Sequence, residues 1–212
     1  MALALSAGLF ILWWALGTGA TVAWFSDRDE VRNEFKIGLL QMDVSYWDEG
    51  KGSYEDLQET TAAFNKEALY EPGYTQVVYL KIENKGDVAF DYKVAVTSEA
   101  VTKGENAWEG EIYLPDYLRY GVVFGETDAQ VRQQVADRLA ARNKAPDIWG
   151  NLGTWSEISP YTYDITDGPH YLALIVYMPE EVNNVANYRG TNVPKVDLGI
   201  TVFAQQADTL TQ

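Results

Sequence analysis

Apolar and polar residues alternate with period two through most of this chain, and that rhythm restricts it to strands with one buried face. Leu40, Met42, Val44 and Tyr46 alternate with Gln41, Asp43 and Ser45. Val78, Leu80 and Ile82 alternate with Tyr79, Lys81 and Glu83, and the pattern resumes after Asn84-Lys85-Gly86-Asp87 at Val88, Phe90, Tyr92, Val94 and Val96. The turn residues between these two runs predict a hairpin. Shorter strands are expected over Tyr117 to Phe124 and Tyr161 to Ile165. Tyr171 to Met178 is nearly continuous in apolar residues, as in a strand buried on both faces or at the centre of a sandwich. Val196, Leu198, Ile200, Val202 and Ala204 make the last strand.

Two segments depart from this rhythm. Thr127-Asp128-Ala129-Gln130 reads as a capping box, with Val131, Val135 and Leu139 following at helical spacing and Pro146 as the terminator. A weaker helical stretch is expected from about Ser53 to Asn65, with Ser53 and Asp56 as caps. Both lie between strands, so they are expected as insertions over an edge or an end of a sandwich. No repeat, low-complexity tract or Pro-rich linker divides the chain, which predicts an all-β antiparallel β-sandwich in one domain with one or two inserted helices.

Residues 1–23 contain no Asp, Glu, Lys or Arg and end in Thr21-Val22-Ala23 before Trp24-Phe25-Ser26-Asp27. Small residues at the minus-three and minus-one positions of an apolar run predict a signal peptide cleaved between Ala23 and Trp24. No basic residue precedes the apolar core, and an uncleaved anchor is the alternative, because Ala2 to Phe25 is long enough to span a bilayer. A type IV pilin leader would be basic and cut before the apolar stretch, which does not fit. Cleavage removes no charge, so the mature chain keeps the full −15. That acidity excludes nucleic acid and anionic lipid as expected partners, leaving membrane contact only before cleavage. Cysteine is absent, so the core holds the fold without disulfides.

Chemistry-bearing constellations are sparse. His170 is the one histidine, and it follows Gly168-Pro169 at the entrance to an apolar strand, where a structural or solvent-facing role is expected. No zinc-protease helix, nucleophile elbow, CxxC or phosphate-cradling loop is present, so no catalytic, cofactor or metal residues are assigned and no enzyme is expected. Carboxylates gather at Asp27, Asp29 and Glu30 and at Asp48, Glu49, Glu55 and Asp56. Their spacing matches no calcium loop, which leaves a solvated face with incidental calcium binding as the alternative. Seven Trp and 14 Tyr invite glycan stacking, yet many occupy strand positions where aromatics simply pack.

Three stretches resemble the TasA/camelysin family of exported fibre-forming proteins, with similar bundling-pilus subunits in archaea. The first runs from Gly19 through Trp24, Phe25 and Asp27 to Asn33-Glu34-Phe35-Lys36-Ile37-Gly38-Leu39-Leu40, and is similar to the family's export signal and aromatic-rich mature start. The second is Tyr70-Glu71-Pro72-Gly73-Tyr74 with Lys81 to Tyr92, similar to paired strands after a Pro-Gly turn. The third is Met178-Pro179-Glu180-Glu181-Val182-Asn183-Asn184 leading to the last strand. Ala100 to Thr154 has no counterpart in that pattern.

The resemblance implies a jelly-roll-like sandwich over residues 36–212, a SipW-type signal peptidase as processing partner, and secretion to the matrix or cell surface. The peptidase activity described for camelysins is not carried over, because the residues for it are missing. A sandwich of short strands leaves unpaired backbone groups at an edge, and a donated strand can satisfy them. Residues 24–35 are the expected donor, with Trp24, Phe25, Val31 and Phe35 as assembly anchors, giving a head-to-tail homopolymer by donor-strand complementation. Two alternatives stand beside it. The tail could fold into its own domain, or the protein could be a monomeric cell-surface adhesion or glycan-binding module.

Overall fold

The computed structural model describes residues 39–58, 61–106, 108, 110–142, 144, 148–155, 161–164, 167–190 and 192–207. In chain order the elements are β1 (Met42–Asp48), β2 (Ser53–Asp56), β3 (Thr75–Asn84), β4 (Phe90–Thr102), β5 (Gly104–Glu105), β6 (Glu111–Ile112), α1 (Leu114–Tyr117), β7 (Arg119–Gly125), α2 (Asp128–Ala140), β8 (Ile148–Asn151), β9 (Tyr161–Tyr163), β10 (His170–Tyr177), a 3-10 segment (Glu180–Ala186) and β11 (Lys195–Gln206). A six-stranded sheet in the order β2-β1-β3-β10-β7-β8 faces a three-stranded sheet in the order β11-β4-β9, and β5 and β6 form a small ribbon. All pairings are antiparallel, so the expected all-β sandwich with inserted helical pieces is present.

The alternation read from the sequence sorts side chains between two layers. Val78, Leu80 and Ile82 of β3 and Leu172, Leu174 and Val176 of β10 point into the sandwich, where they meet Phe90, Tyr92, Val94 and Val96 of β4 in one buried cluster. The intervening residues of β10, Ala173, Ile175 and Tyr177, pack on the opposite face against Val131 and Val135 of α2. This explains why β10 is apolar at almost every position: it lies between β3 and β7 and is covered on both faces.

α2 therefore covers the middle of the outer face of the larger sheet, not an edge or an end of the sandwich. Thr127 caps the helix as expected, its Oγ1 accepting from Gln130 N–H at 3.2 Å, while Gln130 Oε1 reaches one residue further back and accepts from Glu126 N–H at 2.9 Å. Arg132 pins the helix down. Its guanidinium lies 4.4 Å from the Trp47 ring centre and 4.3 Å from that of Tyr79, and it pairs with Asp128 at 2.7 Å. Leu139 stays more than a third exposed and adds nothing to the buried stripe. The helix ends at Ala140, with Arg142 in the left-handed region (φ 55°), so it stops ahead of Pro146, which lies outside the described residues. The outer face of the smaller sheet is also occupied, because Trp155 packs over Phe203, with ring centres 6.1 Å apart and Lys93 Nζ 5.8 Å from the indole.

Two local expectations are overturned. The Ser53 to Asn65 stretch is not a helix, because Ser53–Asp56 forms β2 and pairs back on β1 through Asp48↔Ser53 and Trp47↔Tyr54. Glu49-Gly50-Lys51-Gly52 supplies the turn: Gly52 takes φ 67° and Asp48 Oδ1 accepts from Gly50 N–H at 2.8 Å. Ser53 and Asp56 cap nothing, and the Ser53 hydroxyl donates to the Glu55 carboxylate at 2.7 Å.

The runs flanking Asn84-Lys85-Gly86-Asp87 do not form a hairpin either. β3 belongs to the larger sheet and β4 to the smaller, so the chain crosses the sandwich at this corner. Residues 85 and 87 donate instead to the segment leading into β1, Lys85 N–H to Gln41 O at 2.8 Å and Asp87 N–H to Leu39 O at 2.9 Å. Only glycine fits at position 86, where a Cβ would meet the Leu39 carbonyl oxygen at 1.9 Å.

Candidate assembly site

Among the described residues, sheet order and hydrogen bonds leave a lip open on one side of the sandwich. On the β9 side, the edge of β4 is closed: Gly153 N–H donates to Val96 O at 2.7 Å, and the Tyr120 hydroxyl donates to Thr154 O at 2.6 Å with Val94 O 3.4 Å away. Gly153 follows β8 and Tyr120 stands on β7, so this side of β4 lies over the β7–β8 end of the larger sheet. Burial pushes the Tyr120 phenol up to about 12 and keeps it a neutral donor. β11, on the other side of β4, then lies over the β3–β1 end.

β11 is 12 residues long and pairs only with β4, so among the described residues no strand satisfies its outer edge. Natural edges are blunted by charge, proline or bulges. Here Lys195, Asp197 and a register shift at Asp197/Leu198 protect the beginning of the strand, whereas Leu198 to Gln206 carries no charge and no proline. Leu198, Ile200 and Val202 touch the core yet remain partly exposed, and so do Met42, Val44 and Tyr46 of β1 on the facing sheet. The equivalent inward residues of the central strands, Leu80, Ile82, Leu172 and Leu174, are fully buried. Half-buried apolar side chains on both walls, beside a free backbone edge, are what an added extended strand would cover.

The sequence-predicted assembly residues Trp24, Phe25, Val31 and Phe35, and the cleavage pair Ala23 and Trp24, lie outside the described residues, as do Asp27, Asp29 and Glu30. The chain that carries them joins the domain at Leu39, whose N–H donates to the Asp87 carboxylate at the β3–β4 corner. The partly exposed apolar residues along β11 and β1 were not singled out as a site by sequence reasoning. The one available signal is that the last strand has a long uncharged alternating run.

His170 opens β10 inside an aromatic nest. Its ring stacks on Tyr163 with centres 4.2 Å apart, Nδ1 lies 3.0 Å from the Tyr92 hydroxyl, and Nε2 is 3.6 Å from the Asp167 carboxylate. Burial holds its pKa below the usual imidazole value, with Asp167 opposing. The residue thus ties β10 of one sheet to β4 and β9 of the other, a bracing position. Of the carboxylates, Asp48 closes the β1–β2 turn and Glu55 pairs with Lys51 at 2.9 Å. Among the described residues no group of three or more His, Asp or Glu could hold a metal ion.

No protein-family model matches the chain, and no curated protein matches it.

Proposed function

We propose that this protein is a secreted structural subunit that polymerises head to tail by donor-strand complementation into an extracellular fibre of the biofilm-matrix or pilus type. One observation carries the reading: the uncharged edge of β11, bordered by half-buried Leu198, Ile200 and Val202. The donor is residues 24–35, freed by cleavage between Ala23 and Trp24 by a SipW-type signal peptidase. Trp24, Phe25, Val31 and Phe35 are the anchors. Assignment to the TasA/camelysin family and to a jelly-roll sandwich belongs to the same proposal, as does secretion to the cell surface or matrix.

The physics favours an open filament. A strand given to a neighbour is a heterologous contact, so each addition exposes a fresh acceptor. Burying two or three anchors stabilises each junction by roughly 1.5 to 3 kcal/mol per side chain, before strand hydrogen bonds and ordering costs. The charge of −15 opposes growth and makes assembly favour higher salt.

The test starts from protein beginning at Trp24. Negative stain is expected to show concentration-dependent filaments that are abolished by deleting Trp24 to Asn33 and capped by an excess of a peptide spanning residues 24–35. Monomers that persist at high concentration, or filaments that survive the deletion, would refute the reading.

A further inference from the structure

β4 and β11 keep a regular ladder except for one slip, where Asp197 lies opposite Ala100 but Leu198 lies opposite Ser98. Glu99 is the extra residue of this β-bulge, a device that re-aims a side chain. Its carboxylate lies over Gly199. A Cβ at that glycine would collide with Glu99 Oε1 and would meet Thr97 Oγ1 at 2.8 Å, so the acid fills the space that a side chain at position 199 would take.

Leu198 and Ile200 pack against the core, so position 199 between them faces the outer surface of the smaller sheet. Glu99 thereby carries a negative charge from β4 across to the strand whose outer edge is open among the described residues. Glu99 is exposed, and no described cation pairs with it. Lys195 is engaged with Glu67 at 3.1 Å, and Lys93 lies over Trp155 and Phe203. A carboxylate in that place favours a strand that brings a cation and repels one that brings an acid.

The segment 24–35 holds two cations, Arg28 and Arg32. In an extended strand Val31 and Phe35 share one face and both arginines share the other, so seating these two anchors on the core turns the arginines to the Glu99 side. Whichever way the strand runs, the residues on either side of the one level with Gly199 meet Leu198 and Ile200. Arg28 in that place would press Asp27 and Asp29 onto apolar side chains, whereas Arg32 brings Val31 and Asn33. Granting strand donation, we propose that Glu99 is a specificity-determining residue of the acceptor, pairing with Arg32 of the incoming strand and fixing its register. A slip of one residue turns Val31 and Phe35 away from the core. A slip of two, in either direction, sets Glu30 or Glu34 against Glu99. The alternation Arg28, Glu30, Arg32, Glu34 thus leaves one favoured alignment.

Charge reversal tests the pairing in protein beginning at Trp24, with the critical concentration for filaments measured by sedimentation. Glu99→Arg and Arg32→Glu are each expected to raise it about tenfold, and the two together to return it to near the wild-type value. Glu99→Gln should raise it about threefold. Because Glu99 is exposed, its variants should melt like wild type as dispersed subunits. Glu99→Arg also reduces the net negative charge, so a bulk charge effect alone would ease assembly instead of hindering it. The pairing is overturned if Glu99→Arg assembles as readily as wild type, or if the combined variant does no better than the poorer single one. Either result, with wild-type filaments that a peptide spanning residues 24–35 still caps, leaves strand donation standing. Wild-type protein that forms no filaments removes both.

Discussion

The two lateral ends of the sandwich are built from the same alternating strands, yet one is bridged from sheet to sheet and, among the described residues, the other is not. At the β7–β8 end, residues that follow β8 hydrogen-bond to β4, and Tyr120 reaches across to the same loop. At the β1–β11 end, among the described residues, no strand satisfies β11, and inward side chains on both sheets stay partly exposed. Among the described residues the smaller sheet has three strands against six, and β11 is the long strand that it leaves without an outer partner.

The contrast is sharpened most by truncating matched core residues. Leu174→Ala on β10, fully buried, is expected to cost about 2 to 5 kcal/mol in urea denaturation whether or not the protein is polymerised. Ile200→Ala on β11 should cost only about 1 kcal/mol in dispersed subunits, because that side chain is already partly exposed to water. Its larger effect should appear in assembly, as a critical concentration raised about tenfold. Equal losses for the two variants in monomers would show that the lip is closed.

The sealed end offers a smaller probe. Tyr120→Phe removes the hydroxyl that donates to Thr154 O, and is expected to lower stability by about 1 kcal/mol while leaving the critical concentration unchanged. A shift in assembly would mean that the two ends communicate. The smallest effect concerns pH at the nest joining β10 to β4 and β9. Because burial lowers the His170 pKa, its contribution is fully present above the unfolded value of about 6.5 and is lost as pH falls through the folded value. Thermal melts between pH 7.5 and 5 should therefore decline more steeply for wild type than for His170→Gln. Parallel declines would assign the acid sensitivity elsewhere, to groups other than this imidazole facing Tyr92, Tyr163 and Asp167.

Much of the secondary structure was legible from alternation, because period two reports which residues can face a common core. The continuous run of β10 correctly signalled burial on both faces. What alternation cannot report is the identity of the partner strand. Asn84-Lys85-Gly86-Asp87 has the residues of a tight turn whether the chain folds back beside itself or crosses to the other sheet. The deciding contacts, to Leu39 and Gln41, come from more than 40 positions away in the chain. The Ser53 stretch misled for a related reason: Ser and Asp suit both caps and turns, and the glycines at 50 and 52 favoured the turn. The edge proposed as acceptor was hidden because β11 reads like any half-buried strand until the sheet order shows no described strand beyond it.

The placement of α2 has one more consequence. Sheets laminate at a spacing of about 10 Å, and a helix clamped by Arg132 over the centre of the larger sheet's outer surface denies that approach. Thickening by stacking is thus barred on that face. If strands are donated as proposed, growth is left to the rim, as in thread.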